Sequence, residues 1–207
     1  MSEIDVRWIS EDTLVINFGQ SFSSTQPLSK GVGTPVAYCA PELIFDDEVS
    51  VWSDVWALGC TIFEIRAGAG LFMSFFGGPD EILRQMVQTF GRLPDQWWSR
   101  WGNRYQFFKD VGKPREVWPN NTPLAVGYPL RQHIQDIGAE DECIENEDSI
   151  ANDQEASTRL MEPKGIRPSD AEVDCIENLL GSILKYEPAQ RSPVEIVTQH
   201  PWFTMTD

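Results

Sequence analysis

Histidine and cysteine are scarce in this 207-residue chain, which contains two histidines and four cysteines. His133 and His200 stand in no recognisable motif with a serine or cysteine, so the sequence predicts no nucleophile pair of the Ser-His or Cys-His type. The cysteines show no CxxC spacing and follow no signal peptide, and therefore indicate neither a disulfide scaffold nor a zinc site. We predict no metal site from protein ligands. The cysteines are Cys39, Cys60, Cys143 and Cys175.

Positive charge is also sparse. Sixteen Lys and Arg residues stand against 32 Asp and Glu residues, which gives a net charge of −16. Because phosphate groups attract clustered Lys and Arg, the composition argues against a nucleic-acid partner and against an anionic membrane surface. A basic protein or an Arg-rich peptide is the partner that this charge favours.

Long apolar runs are missing as well. None approaches the roughly 20 residues that a membrane-spanning helix requires, and the chain opens on a polar stretch in place of a targeting sequence. With no disulfide pattern, these features predict an intracellular protein, cytoplasmic or nuclear. The hydrophobic content of 41% is sufficient for one domain with a sizeable core.

The strongest helical pattern covers residues 53–67. Ser53 is the predicted N-cap, Asp54 follows it where the helix dipole favours negative charge, and Gly68 lies past the end. Apolar residues cover nearly every face, which predicts a helix buried on all sides at the centre of a larger helical lobe. A second helix is predicted at about 169–184, with its apolar residues on one face.

Four further segments are distinctive. Residues 13–16 form a predicted strand. A hydroxyl-rich loop follows, and phosphorylation of this loop would order the chain because the phosphate would pair with Arg or Lys. The alternative is a solvated loop without regulation. Residues 95–129 are rich in tryptophan and are expected to pack against the lobe or to line a docking groove. Residues 140–165 form a predicted mobile acidic insert. The candidate phosphorylation sites are Ser23, Ser24, Thr25 and Ser29.

Five short motifs follow one another along the chain. They are Asn17-Phe18-Gly19, Gly33-Thr34-Pro35, Ala40-Pro41-Glu42, Ser53-Asp54-Val55-Trp56-Ala57-Leu58-Gly59, and Glu187-Pro188-Ala189-Gln190-Arg191-Ser192 followed by His200-Pro201-Trp202-Phe203. Their order is that found in eukaryotic protein kinases, and from residue 17 to residue 203 the chain resembles the large C-terminal lobe of that fold. The segment 76–94, with the long insert after it, is similar to the CMGC group and within it to relatives of the SR-protein kinases. Cys39 departs from the pattern, because many CMGC members carry an arginine there.

The resemblance implies ATP and magnesium as cofactors. Asn17, Phe18 and Gly19 occupy the magnesium-binding position, where such kinases carry an aspartate. A neutral amide is a poorer ligand for a hard dication than a carboxylate, so we expect binding of magnesium-ATP to be weak or absent. Only 16 residues precede Asn17, and the 207 residues contain no glycine loop, no ATP-pairing lysine and no His-Arg-Asp catalytic loop. No complete catalytic set is therefore predicted.

The resemblance also implies substrate-binding and structural roles. Thr34 is expected to lie in the loop beside the phosphoacceptor, and Glu64 to read a basic residue of the substrate; a generic exposed acid is the alternative for Glu64. Glu42 and Arg191 are expected to form a partly buried ion pair. Asp54 would accept backbone hydrogen bonds from a catalytic loop, and without that loop it becomes a helix cap or a solvated acid.

The expected fold is mainly α, a kinase-like C-terminal lobe with a short β segment at the N-terminus and no N-terminal lobe. Three functions remain open. The chain is a protein serine/threonine kinase family member that is catalytically incomplete as written, a pseudokinase-like acidic module for a basic protein partner, or a truncated non-functional product. The expected segments of a partial kinase domain over 1–207 are 1–19 (strand and Asn-Phe-Gly), 20–42 (activation segment), 43–139 (central helix and aromatic region), 140–165 (acidic insert) and 166–207 (closing helices).

Overall fold

The chain divides into two units, Met1–Gly33 and Thr34–Asp207. In the first unit, Phe18–Gln20 forms a 3-10 turn, and the backbone N–H of Ser21 donates to the carbonyl of Phe18 at 3.0 Å. The predicted strand at 13–16 lies outside the described residues. The computed structural model describes residues 18–23, 32–74, 78–117, 122–123, 125–139 and 166–205.

Helices dominate the second unit. Its two described strands, β1 (Glu116–Val117) and β2 (Thr122–Pro123), pair antiparallel in one short ribbon. The predicted mainly α, kinase-lobe-like fold is therefore confirmed for the part of the chain that the structure describes. The α-helices there are α1 (Pro41–Asp46), α2 (Val51–Ala67), α3 (Pro79–Phe90), α4 (Asp95–Trp98), α5 (Arg104–Phe107), α6 (Leu130–Gln135), α7 (Asp170–Ile183) and α8 (Val194–Val197).

The central helix α2 begins two residues earlier than the sequence predicts. Its N-cap is Ser50, whose hydroxyl accepts the backbone N–H of Trp52 at 3.2 Å. Ser53 is the reciprocal member of a capping box, because its hydroxyl accepts the backbone N–H of Ser50 at 3.3 Å. The prediction of Ser53 as the N-cap was therefore wrong, because the N-cap lies three residues earlier in the chain. Gly68 ends the helix as predicted, with a left-handed φ of 72°.

The prediction that α2 is buried on all sides was also wrong. Most of its apolar residues lie in the core, with Trp56 fully buried and Ile62 and Phe63 almost so. Val51 and Ile65, however, are 56% and 78% exposed. One face of the helix therefore has no cover from the residues that the structure describes.

Helix α7 packs against α2 and confirms the helix predicted at about 169–184. Ser169 caps it by accepting the backbone N–H of Glu172 at 3.2 Å. The two helices approach closely at Gly59, where a Cβ atom would lie 2.8 Å from Leu184 Cδ2 and 2.9 Å from Ile183 Cγ2. Any larger residue at this point would force the side chains of Ile183 and Leu184 to shift, so glycine allows the close approach.

The aromatic region packs into the same core. Trp98 and Trp101 are buried with their rings 6.0 Å apart, and Phe108 is buried beside both. The indole N–H of Trp101 donates to the carboxylate of Asp80 at 2.6 Å, which ties this region to the first turn of α3. Among the described residues, no helix is both long enough and apolar enough to cross a membrane.

Candidate functional site

The segment from residue 34 to residue 42, called the platform below, is held in one conformation by its own backbone. A 3-10 turn at Val36–Tyr38 places Cys39 so that its thiol donates to the carbonyls of Thr34 at 3.4 Å and of Pro35 at 3.6 Å. Burial raises the pKa of the Cys39 thiol, which keeps it protonated and able to donate. Cys39 therefore has a structural use where the resemblance expected an arginine.

The far end of the platform is anchored by a buried ion pair between Glu42 and Arg191. The guanidinium contacts both carboxylate oxygens at 2.7 Å, a bidentate arrangement, and the two side chains are 3% and 0% exposed. Ser53 also donates its hydroxyl to Glu42 at 3.1 Å. The remaining donors of Arg191 are satisfied by backbone carbonyls, those of Trp52, Lys185 and Tyr186.

The ion pair of Glu42 and Arg191 is almost completely buried, whereas the resemblance predicted only partial burial. Every charge in it is matched by hydrogen bonds, which is the condition under which a buried ion pair is tolerated. Because Glu42 lies in the first turn of α1 and Arg191 follows the 3-10 turn Pro188–Gln190, the pair ties the platform to the end of the lobe.

Glu64, on α2, lies beside the platform. The hydroxyl of Tyr38 donates to Glu64 Oε2, and the Glu64 side chain is half-buried. Its other carboxylate oxygen has no hydrogen-bond partner among the described residues, and neither has the hydroxyl of Thr34. The structure thus places Thr34 at one end of the platform and Glu64 against Tyr38 within it.

Asp54 lies in the first turn of α2, one residue after the serine that bonds Glu42. Partial desolvation raises the pKa of its carboxyl group, although the side chain is open to solvent. It forms no hydrogen bond or ion pair with any residue that the structure describes. Its predicted role as a hydrogen-bond acceptor for a catalytic loop stays a prediction.

A clamp on α1 was missed by sequence reasoning. The indole N–H of Trp97 donates to Asp46 Oδ2 at 2.7 Å, and Arg100 contacts both Asp46 and the carbonyl of Phe45. The rings of Phe45 and Trp97 stack at 5.8 Å, and the bond from Arg100 holds the pKa of Asp46 below its usual value. The residues are 51 and more positions apart, so no local pattern in the sequence could have shown the contact.

The remaining predicted site residues lie in or near the first unit. Phe18, Gly19 and Ser23 are described there and are exposed. Asn17 lies outside the described residues, as do three candidate phosphorylation sites, Ser24, Thr25 and Ser29.

Comparison with known proteins defines the class. The sequence model of the protein kinase domain matches residues 11–203, so the chain belongs to the protein kinase family. It is 26% identical over 189 residues to the dual specificity protein kinase CLK2 of Homo sapiens, an alignment that covers 91% of this chain and 31% of CLK2.

Two other relatives agree with this placement. The dual specificity protein kinase lkh1 of Schizosaccharomyces pombe is 27% identical over 92% of this chain and 23% of its own length. The serine/threonine-protein kinase SRPK of Physarum polycephalum is 22% identical over 80% of this chain and 32% of its own length. The resemblance to SR-protein-kinase-like members of the CMGC group is thereby confirmed. The chain spans about a third or less of the length of these relatives.

Membership of the family implies ATP and magnesium as cofactors. The side chain that this sequence supplies as a magnesium ligand is poorly suited to that ion. The one position that the motif supplies for the metal holds the amide of Asn17, and magnesium prefers carboxylate oxygen. In the part of the chain that the structure describes, no group of three His, Cys, Asp or Glu side chains could hold a metal ion.

Proposed function

We propose that this chain is a kinase-like module whose platform holds a basic segment of a protein partner, and that these 207 residues do not transfer phosphate by themselves. The supporting observation is the position of Glu64. One carboxylate oxygen is bonded to Tyr38 of the platform, while the other has no partner among the described residues. The net charge of −16 adds a long-range attraction for a basic segment.

An extended peptide on the platform would meet two polar groups. The hydroxyl of Thr34, at the start of the platform, has no hydrogen-bond partner among the described residues, and Glu64 would accept a charge-assisted hydrogen bond from an arginine of the peptide. The buried ion pair of Glu42 with Arg191 anchors the far end of the platform and so helps to hold it in place before the peptide arrives. A preorganised surface loses less entropy on binding than a mobile one.

Replacing Glu64 by glutamine tests the binding proposal. Glutamine keeps an oxygen that can accept from Tyr38 but loses the charge. We expect affinity for a fluorescent Arg-rich peptide, measured by anisotropy, to fall about ten- to hundredfold, since a hydrogen bond to a charged group contributes about 1.5 to 3 kcal/mol. Binding to the unchanged protein should also weaken as salt is raised, because screening shortens the range of the attraction.

The matched control is Glu195→Gln, which removes the same charge from an exposed position on α8. This variant should bind the peptide as the unchanged protein does. Equal loss in both variants would mean that only net charge attracts the peptide. Binding that is insensitive to salt and to Glu64→Gln would reject the proposal.

A phosphotransfer assay tests the second half of the proposal. We expect purified protein with magnesium-ATP and a basic peptide to incorporate no more phosphate than the Asn17→Ala variant, since positioning and charge stabilisation of the transferred phosphoryl group both require parts that these residues lack. Incorporation above that control would show that the chain is an active kinase.

A second candidate function is substrate binding within an active serine/threonine kinase that contains these residues. The alignments favour it, because the chain covers only 31% of CLK2 and 32% of the Physarum SRPK kinase. Reading the 5′ end of the transcript distinguishes the two functions. A glycine loop with its lysine, followed by a His-x-Asp loop, would support the active kinase, and their absence from the transcript would support the binding module.

A further inference from the structure

The hairpin formed by residues 107–115, called the basic hairpin below, contrasts in charge with the rest of the chain. Over all 207 residues, 32 Asp and Glu residues stand against 16 Lys and Arg residues. Within residues 104–115 the balance is reversed, with four cations and one acid. A partner attracted to this surface therefore differs in charge from one attracted to the chain as a whole. The charged residues are Arg104, Lys109, Asp110, Lys113 and Arg115.

Backbone pairing places three of these cations on one face of the hairpin. The backbone N–H of Lys109 donates to the carbonyl of Lys113 at 2.8 Å. That of Arg115 donates to the carbonyl of Phe107, also at 2.8 Å. Phe108 lies between these bonded positions and is buried in the core. Because successive side chains of a strand point to opposite faces, Lys109, Lys113 and Arg115 lie on the outer face, and all three are exposed.

The turn of the basic hairpin is fixed by contacts with Arg92 and Arg104. Gly112 has a left-handed φ of 77°, and its backbone N–H donates to the carbonyl of Lys109 at 2.8 Å. Nε of Arg92 donates to the carbonyl of Asp110 at 3.0 Å. The carboxylate of Asp110 lies 3.7 Å from Nη2 of Arg104. The acid of the turn is therefore already paired and does not neutralise the cations of the outer face.

The side chains of those three cations form no hydrogen bond or ion pair with any residue that the structure describes. Lys109 and Lys113 stand opposite each other across the hairpin, where like charges are destabilising. Arg84 adds a further cation, 5.9 Å from the centroid of the Phe107 ring, and it donates to the amide oxygen of Gln88 at 3.1 Å. An anionic partner would relieve the repulsion among these cations.

We propose that the basic hairpin binds an acidic segment of a partner protein in an extended conformation, through carboxylates that pair with Lys109, Lys113 and Arg115. Lys113 and Arg115 are two residues apart on one strand, a separation of about 7 Å. Glutamates at alternate positions of an extended peptide have the same spacing. Arg115 suits a carboxylate that accepts two hydrogen bonds, and the lysines act as point charges.

A nucleic acid is a poorer occupant of this surface. A long polyanion would extend beyond the hairpin and meet the rest of a chain whose net charge is −16. A short acidic segment is affected chiefly by the hairpin, because charges farther away than a Debye length of about 8 Å are largely screened at physiological salt. The inference does not depend on Glu64, so it goes beyond the binding of a basic segment by the platform.

A fluorescent peptide with glutamate at alternate positions, separated by serine, is the probe. A matched peptide has glutamine in place of every glutamate. At physiological salt we expect the unchanged protein to bind the glutamate peptide about tenfold more tightly than the glutamine peptide in an anisotropy titration. The difference is modest because each exposed charge pair contributes little by itself.

The double variant Lys109→Gln/Lys113→Gln tests the location. Both side chains are exposed, so the fold should be unaffected. We expect this variant to bind the glutamate peptide about three- to tenfold more weakly, since two of the three charge pairs are lost. The control is Arg131→Gln/Lys185→Gln, which removes two positive charges from α6 and from the segment just past α7, and it should bind as the unchanged protein does.

Equal affinity for the glutamate and glutamine peptides would overturn the proposal. So would equal loss in the two double variants, which would mean that only net charge matters. A single-stranded oligonucleotide that binds more tightly than the glutamate peptide, and displaces it, would assign the surface to nucleic acid instead. Glu64→Gln should leave the glutamate peptide bound while it weakens the Arg-rich peptide, so the two binding functions can fail separately.

Two occupants from this chain itself are also tested. Sedimentation showing a dimer that dissociates in Lys109→Gln/Lys113→Gln would mean that a second copy covers the basic hairpin. Replacing the acids at positions 140–162 by their amides should leave the affinity for the glutamate peptide unchanged. A rise in affinity in that variant would mean that the chain's own acidic segment competes for the hairpin, and would overturn the assignment to a partner protein.

Discussion

Replacing Arg191 by alanine is expected to lower the free energy of unfolding by about 3 to 5 kcal/mol, because it leaves the carboxylate of Glu42 buried without its cation. Glu42 is 3% exposed and would keep only the 3.1 Å hydrogen bond from Ser53. Three backbone carbonyls would also lose a donor, those of Trp52, Lys185 and Tyr186. Chemical denaturation followed by circular dichroism measures the change.

The control for this prediction is Arg131→Ala. Arg131 contacts two carboxylates as well, Asp174 and Glu177, but its side chain is 43% exposed, so water replaces the lost contacts and the denaturation midpoint should barely move. The double variant Glu42→Gln/Arg191→Ala should cost less than the sum of its single variants, because no buried charge is left behind. Additive losses, or equal losses in Arg191→Ala and Arg131→Ala, would contradict the buried pair as an anchor.

Replacing Trp56 by alanine should cost about 3 to 5 kcal/mol through the cavity that it leaves. The ring is fully buried, stacks on Phe72 at 6.3 Å and meets the edge of Phe90 at 5.9 Å. The guanidinium of Arg191 also lies 5.1 Å from its centroid, so the effects of the two substitutions should not be additive. The free energy of unfolding of both single variants and of the double variant tests this expectation.

The indole N–H of Trp56 refines the prediction, because it is buried and has no hydrogen-bond partner in the part of the chain that the structure describes. Phenylalanine removes this unsatisfied donor as well as part of the ring. Trp56→Phe should therefore be much less destabilising than Trp56→Ala. Trp202→Ala, at a half-buried ring, is the control and should cost less than Trp56→Ala. Denaturation of the unchanged protein without a cooperative transition would instead support a truncated product that folds poorly.

Sequence reasoning succeeded where residue types have one dominant use. Glu42 and Arg191 are 149 positions apart, and they were matched because each stands in a short motif with a fixed order along the chain. Gly68 was recognised as the end of α2, since glycine adopts the left-handed conformation at little cost. The fold class followed from the same motifs, because their order is that of the kinase lobe.

Sequence reasoning failed where two residues could fill the same structural role or where a contact joined distant segments. Ser50 and Ser53 are both good caps. In the structure the Ser50 hydroxyl accepts the backbone N–H of Trp52 and caps the helix, whereas the Ser53 hydroxyl accepts the backbone N–H of Ser50. The clamp of Trp97 and Arg100 on Asp46 joins residues that no periodicity relates. Apolar residues on every side of α2 predicted that the whole helix is buried, yet Ile65 is 78% exposed. An apolar pattern shows which faces of a helix would be stabilised by burial, but it does not show which faces another segment packs against.

The sequence by itself determined the family, the mainly α lobe and the acidic character of its surface, since motif order and net charge are properties of the chain alone. Only the tertiary structure decided that Arg191 is completely buried, that Glu64 lies against Tyr38, and that one face of α2 has no cover from the described residues. These are matters of distance and solvent exposure, which arise when segments far apart in the chain are packed together.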